Sequence, residues 1–171
     1  MRNPHLGWFL SLLAAVFFVL APLTSQNSHA RDLQGRVVGI TDGDTLTLLT
    51  DRQTQIRIRL SEIDTPERGQ PYATRSRQRL SDLVFGKAVR VTVRNVDRYG
   101  RAIGRVFVGS RDVNAEMIRS GSAWVYRRYS DDPSLLRLER IARGERRGLW
   151  ALPEAERIPP WEWRASERRR R

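Results

Sequence analysis

"QIRIRLSEIDTPE", Gln55 to Glu67, begins as one kind of sequence and ends as another. In its first half Ile56, Ile58 and Leu60 alternate with Arg57 and Arg59, the period-two pattern of a strand with one buried and one wet face. The second half breaks that pattern. The apolar even-numbered series stops at Glu62 and is replaced by Ile63, so the strand is expected to bend or bulge near Ser61 and Glu62. Strict alternation would put Arg59 and Asp64 on opposite faces. A bend re-aims Asp64 and Glu67 toward the side where Arg59 points, with Pro66 fixing the backbone between Thr65 and Glu67.

Strands flank this stretch on both sides. "LQGRVVGI" (33–40) and "TLTLL" (45–49) precede it, joined through "TDGD", where Asp42-Gly43 signals a tight hairpin because both residues tolerate positive φ. Further on, "AVRVTV" places Val89, Val91 and Val93 at period two, and "RAIGRVFV" returns across "DRYG" with Gly100 at the loop's end. Helical patterns fill the gaps. "PYATRSRQRLSDLVFG" sets Tyr72, Ser76, Leu80 and Leu83 on one stripe, "VNAEMIRSG" is a shorter helix stopped at Gly121, and "DPSLLRLERIARGERRG" starts after Asp132 and Pro133. The whole predicts a mixed α+β domain, a small closed five-stranded barrel carrying about three helices, without internal repeats.

The ends of the chain differ from this middle. Arg2 and His5 precede the apolar run "LGWFLSLLAAVFFVLAPL", and "SHA" closes it at Ala30, the layout of a secretory signal peptide over residues 1–30. An uncleaved anchor is the alternative, since the run is close to spanning length. The domain then occupies 31–152, and 153–171 is a basic Pro/Trp/Arg-rich segment that reads as an extended tail. Its end, Arg164 to Arg171, is expected to add nonspecific phosphate affinity, or nothing, without taking part in catalysis. Export implies a periplasmic or secreted protein that meets the membrane only transiently.

Composition narrows the chemistry. No cysteine is present, which excludes disulfides and thiolate metal sites. The net charge is +12, almost all of it arginine with Lys87 the single lysine, and points to a polyanionic partner or an anionic lipid surface. Both histidines, His5 and His29, lie in the segment expected to be removed. A hydrolytic reaction must then use a carboxylate as its base, and Glu67 is the natural candidate. Two carboxylates and a backbone carbonyl are hard oxygen donors suited to calcium.

Three motifs together, "DGDT" at Asp42 to Thr45, "RLSEIDTPE" at Arg59 to Glu67 and "DRYGR" at Asp97 to Arg101, resemble the staphylococcal nuclease (thermonuclease) family, over nearly all of Leu33 to Trp150. The resemblance implies an OB-fold barrel, calcium as cofactor, DNA and RNA as substrates, and no stable protein partner. Carried over by position, it implies that Asp44 and Asp64 bind Ca2+ by carboxylate and Thr65 by its carbonyl. Arg59 and Arg101 would hold the scissile phosphate and Glu67 would activate water. Arg98, Tyr99, Tyr126 and Tyr129 would line the nucleotide site, where aromatic stacking tolerates any base. Arg98 stands where the family often has lysine, and the alignment of Tyr126 is open. Trp124 and Trp150 read as core residues, and Asp42 as a hairpin carboxylate beside the ligands. The rivals are an inactive nucleic-acid-binding module on the same fold and a basic envelope protein that binds lipid. The complete acidic and arginine set has no simple purpose in either.

Overall fold

The computed structural model describes residues 32–170, so the expected signal segment lies outside the described residues. The barrel forms from β1 (Asp32–Ile40), β2 (Thr45–Leu49), β3 (Gln55–Leu60), β5 (Ala88–Val96) and β6 (Ala102–Val108), with β4 (Ile63–Asp64) a two-residue continuation beyond the bend and β7 (Arg111–Asp112) a short strand beside β6. β1, β2 and β3 form a meander, β1 also pairs with β5, and β5 with β6, all antiparallel. Closure comes from a parallel pairing of β3 with β6, which sets Ile58 beside Ala102, Arg59 beside Ile103 and Leu60 beside Gly104. This is the closed five-stranded mixed α+β barrel that the strand order and the resemblance predict.

Alternation decides what fills it. Val37, Leu46, Leu48, Ile58, Leu60, Val89, Val91 and Val106 point inward and are buried. Their outward neighbours on β3, Arg57 and Arg59, are left on the outer surface. The helices α1 (Ala73–Val84), α2 (Val113–Arg119) and α3 (Pro133–Gly144) close the core from one side. Ser76, Leu80 and Leu83 of the predicted stripe are buried on α1, as are Leu135 and Ala142 on α3. Asp112 caps α2 by accepting from the Ala115 amide at 3.0 Å, and Asp132 caps α3 through Ser134 at 2.8 Å. Each cap replaces an amide partner that the first turn of a helix lacks.

The bend falls where the apolar phase slips. Glu62 takes a left-handed φ of 67°, which divides β3 from β4. Such a conformation is costly for a residue with a side chain, and its neighbours hold it. Asn114 of α2 donates to the Ser61 carbonyl at 2.8 Å and accepts from the Val106 amide at 3.1 Å. The Glu62 carbonyl accepts from Tyr126 at 2.9 Å, just past β8 (Trp124–Val125), which pairs with β4.

Two expectations need correction. Gly43 is not among the glycines with positive φ. It is required for space, because a Cβ there would lie 2.1 Å from the Ser76 hydroxyl and 2.8 Å from Thr65. The terminal segment is not an extended tail either. After two short 3-10 turns it forms a fourth helix, α4 (Pro160–Arg170), started by proline, which suits a first helical position, and ending in Arg168, Arg169 and Arg170, whose charge suits a helix C-terminus. A second cluster of Trp124, Ala142, Leu149 and Trp150 receives its Trp161.

Candidate active site

Three carboxylate-bearing turns meet at one mouth of the barrel. The β1–β2 turn supplies Asp42 and Asp44, the segment after the bend supplies Asp64, and the loop beyond it supplies Glu67. Thr45 lies opposite Arg59 in the β2–β3 register, which brings the first turn beside the end of β3. Arg59 sits between the two turns: its Nε is 3.1 Å from Asp44 Oδ1 and its Nη2 is 3.0 Å from Asp64 Oδ1. Its Nη1 donates to the carbonyls of Leu60 and Ile63, so the guanidinium also braces the bend. The bend thus does what the phase slip predicts and puts Asp64 on the side of Arg59.

Asp44 and Thr65 are joined directly. Asp44 Oδ2 accepts from the Thr65 amide at 3.1 Å and from its hydroxyl at 2.9 Å. Asp42 Oδ1 accepts from the Asp44 amide at 3.0 Å, an Asx turn that orients the hairpin. Burial, reinforced by the neighbouring Asp44, pushes the Asp42 carboxyl up to about 6. Burial also raises Asp64, with Arg164 opposing it, Asp44 adding to it and Arg59 opposing it. Both shifts arise first from taking a carboxylate out of water, and the charge of Asp44 adds to each.

The donor set fits an oxygen-seeking cation. Asp44, Asp64 and the Thr65 segment lie together, and no three histidine, cysteine or acidic side chains converge into a closed cage among the described residues. An ion held here would rest on two carboxylates and complete its shell with the Thr65 carbonyl, water or substrate oxygens, as calcium's flexible coordination allows.

Arg101 approaches from the start of β6. It pairs with Asp97 at 2.8 Å and its Nη1 is 3.4 Å from the Thr45 hydroxyl, which in turn donates to Asp44. Hydrogen bonds from the Arg101 amide and side chain and from the Tyr99 amide hold Asp97 below its ordinary value, against the effect of burial. Aromatic side chains stand on two flanks. Exposed Tyr99 lies under Arg98 and Arg101, with ring-to-guanidinium distances of 4.9 and 5.7 Å. Tyr126 meets Tyr129 edge to face at 4.8 Å on the other flank. Trp124 and Trp150 are buried, as expected of core residues.

The sequence reading missed two contributors. Gln70 is buried and accepts from the Glu67 amide at 2.9 Å, while its own amide donates to the Ile158 carbonyl, tying the Glu67 loop to the approach of α4. Arg164 of α4 reaches into the site itself. Its Nη2 lies 2.8 Å from Asp64 Oδ2 and its Nη1 3.2 Å from Oδ1, and it also pairs with Glu67. The tail is therefore not remote from the candidate chemistry. Glu62, the first of the three acidic residues of the opening stretch, points away and pairs with Arg105 at 2.6 Å and Arg94 at 3.2 Å.

A barrel mouth that gathers arginines around paired carboxylates, with exposed rings at its edges, defines a hydrolase of phosphodiesters on an OB-type barrel. Residues 57–152 match the family described as "Staphylococcal nuclease homologue". The chain belongs to the staphylococcal nuclease family and is a nuclease. It is 42% identical over 170 residues to a micrococcal nuclease of Shigella flexneri, covering 93% of this chain and 95% of the relative. It is 43% identical over 163 residues to Protein ParB of Escherichia coli, covering 89% and 90% of the two chains. An uncharacterized endonuclease of Haemophilus influenzae is 39% identical over 159 residues, covering 93% and 85%.

Proposed function

We propose that this nuclease is exported, requires calcium and hydrolyses both DNA and RNA. The observation that carries the reading is the position of Arg59 between Asp44 and Asp64, with Glu67 on the adjoining loop. Bound calcium would be held by Asp44, Asp64 and the Thr65 carbonyl, and would offset negative charge that builds on the phosphoryl oxygens. Arg59 and Arg101 add planar guanidinium donors, which bind two phosphate oxygens at once and keep their charge. Glu67 takes a proton from the attacking water as the water oxygen bonds to phosphorus. The ester P–O bond on the opposite side breaks, and the departing oxygen takes a proton from solvent. Tyr99 and Tyr129, both exposed, offer ring faces to bases of either nucleic acid, with Arg98 supplying charge beside the first.

Incubation of the purified protein with single-stranded DNA, duplex DNA and RNA, in calcium, magnesium or chelator, tests this. Cleavage of all three in calcium, loss in chelator and weak support by magnesium are the expected results. Full activity in chelator would overturn the calcium assignment. Export predicts a secreted or periplasmic product beginning at or near Arg31, which mass spectrometry reads directly. A membrane-bound chain that keeps its first thirty residues would contradict it.

A further inference from the structure

Arg164 satisfies the carboxylates that the proposed chemistry needs free. Its guanidinium spans both oxygens of Asp64 and bonds Glu67 as well. A guanidinium seated across both oxygens of Asp64 competes with a cation for them, and one bonded to Glu67 stands where the attacking water would have to meet that carboxylate. One turn earlier on the same helix, Trp161 lies parallel to the ring of Tyr126, with an interplanar angle of 4° and centroids 5.5 Å apart. It covers the flank at which a base would stack. A cation on the carboxylates and a ring on Tyr126 are what a metal ion and a nucleotide would supply together.

The helix that delivers these groups is lightly attached. Pro160 is its only buried residue. An eleven-residue helix of this kind is marginal by itself, so docking maintains it. Its approach, "RIPP", is tethered through the Ile158 carbonyl to Gln70, and Pro159 and Pro160 stiffen the joint beyond that tether. Past the site the helix ends in exposed arginines, the charge a polynucleotide would meet first.

We propose that α4 is an autoinhibitory latch, in which Arg164 and Trp161 close the site until a divalent cation and a polynucleotide displace them together. The proposal rests on the calcium-nuclease reading above. Calcium competes with Arg164 for Asp64, while phosphates offer that guanidinium and the terminal arginines an alternative partner. The substrate thus shifts the protein toward its open form by binding that form better.

Calorimetric titration of the full chain with calcium alone, without nucleic acid, separates the possibilities. Arg164→Ala should bind calcium roughly tenfold more tightly than the unaltered protein, the factor for a latch closed about nine-tenths of the time. Removing a positive charge could tighten calcium binding without any latch. Trp161→Ala answers this, since it keeps the charge, loosens the helix and should also tighten binding. Hydrogen exchange of 160–170 in the unaltered protein should accelerate when calcium is added. Unchanged calcium affinity in both variants, with exchange indifferent to calcium, would overturn the latch while leaving calcium-dependent cleavage intact. Absence of calcium binding in all three proteins would overturn the calcium reading and the latch with it.

Discussion

Two clusters of acidic side chains lie on this small barrel, three on its flank and four at its mouth, and they are held in opposite ways. On the flank, Glu62, Asp112 and Asp132 surround Arg105 at 2.6, 3.3 and 2.5 Å. Two of these carboxylates also cap helices. Hydrogen bonds from the Ser134 hydroxyl and from Arg105 bring Asp132 down to about 2. At the mouth, burial drives Asp42 up to about 6 and raises Asp64 as well. The flank carboxylates have partners fixed by the fold. At the mouth, burial and the repulsion from Asp44 raise Asp42 and Asp64 despite the arginines nearby, the state expected of groups meant to receive a ligand. Acidic residues alone therefore do not mark a site; what distinguishes one is that burial there raises its carboxylates, where fixed partners on the flank lower Asp132.

That contrast can be broken at either end. Glu67→Gln keeps size and reach but removes the basic oxygen, so turnover of a defined oligonucleotide at saturating calcium should fall by roughly 10² to 10⁴. Its thermal stability should stay near that of the unaltered protein, because Glu67 is partly exposed and caps no helix; a normal turnover number would remove it as the base. Arg105→Met should do the reverse. Withdrawing the guanidinium leaves buried Glu62 without its main partner, at a cost of about 3 kcal/mol in chemical denaturation, with turnover per folded molecule preserved. A stable but inactive Arg105→Met would place the flank cluster in the chemistry and dissolve the distinction.

The smallest effect is the most specific. Asp132→Ala should lose about 1 kcal/mol through the missing cap. Asp132 titrates lower when folded than its ordinary 3.8. Its contribution is therefore complete above about pH 4 to 5 and fades as pH falls toward about 2. Denaturation curves of the variant and the unaltered protein should converge over that acid range. A gap that persists at pH 2 would mean that the cap acts without its charge.

Much of this was legible in the chain because strands announce themselves through period two. The slip from Leu60 to Ile63 located a bend, and the bend located Asp64 relative to Arg59. The roles proposed for Asp44, Thr65 and Arg101 came from motif resemblance, since no spacing rule joins turns so far apart in sequence. Gln70 and Asn114 were not legible. Each is a single amide that completes backbone hydrogen bonds known only once the elements are packed. α4 was hidden for a different reason: "PWEWRASERRR" has no apolar stripe, and its helix is held by one proline, one indole and one guanidinium. Gly43 is legible as a turn residue, but the reason for it is not, because the crowding of Ser76 and Thr65 is a tertiary fact.

The parallel pairing of β3 with β6 has a kinetic meaning. Arg59 and Arg101 become neighbours only when that seam closes, and α1 and β5 lie in the chain between them. Contacts between distant parts of a chain form late and slowly, because the loop between them must first be ordered. Until then the growing polypeptide carries each arginine separately. Hydrolytic competence thus depends on that seam, and cleavage is expected to return after dilution from denaturant no earlier than the barrel closes.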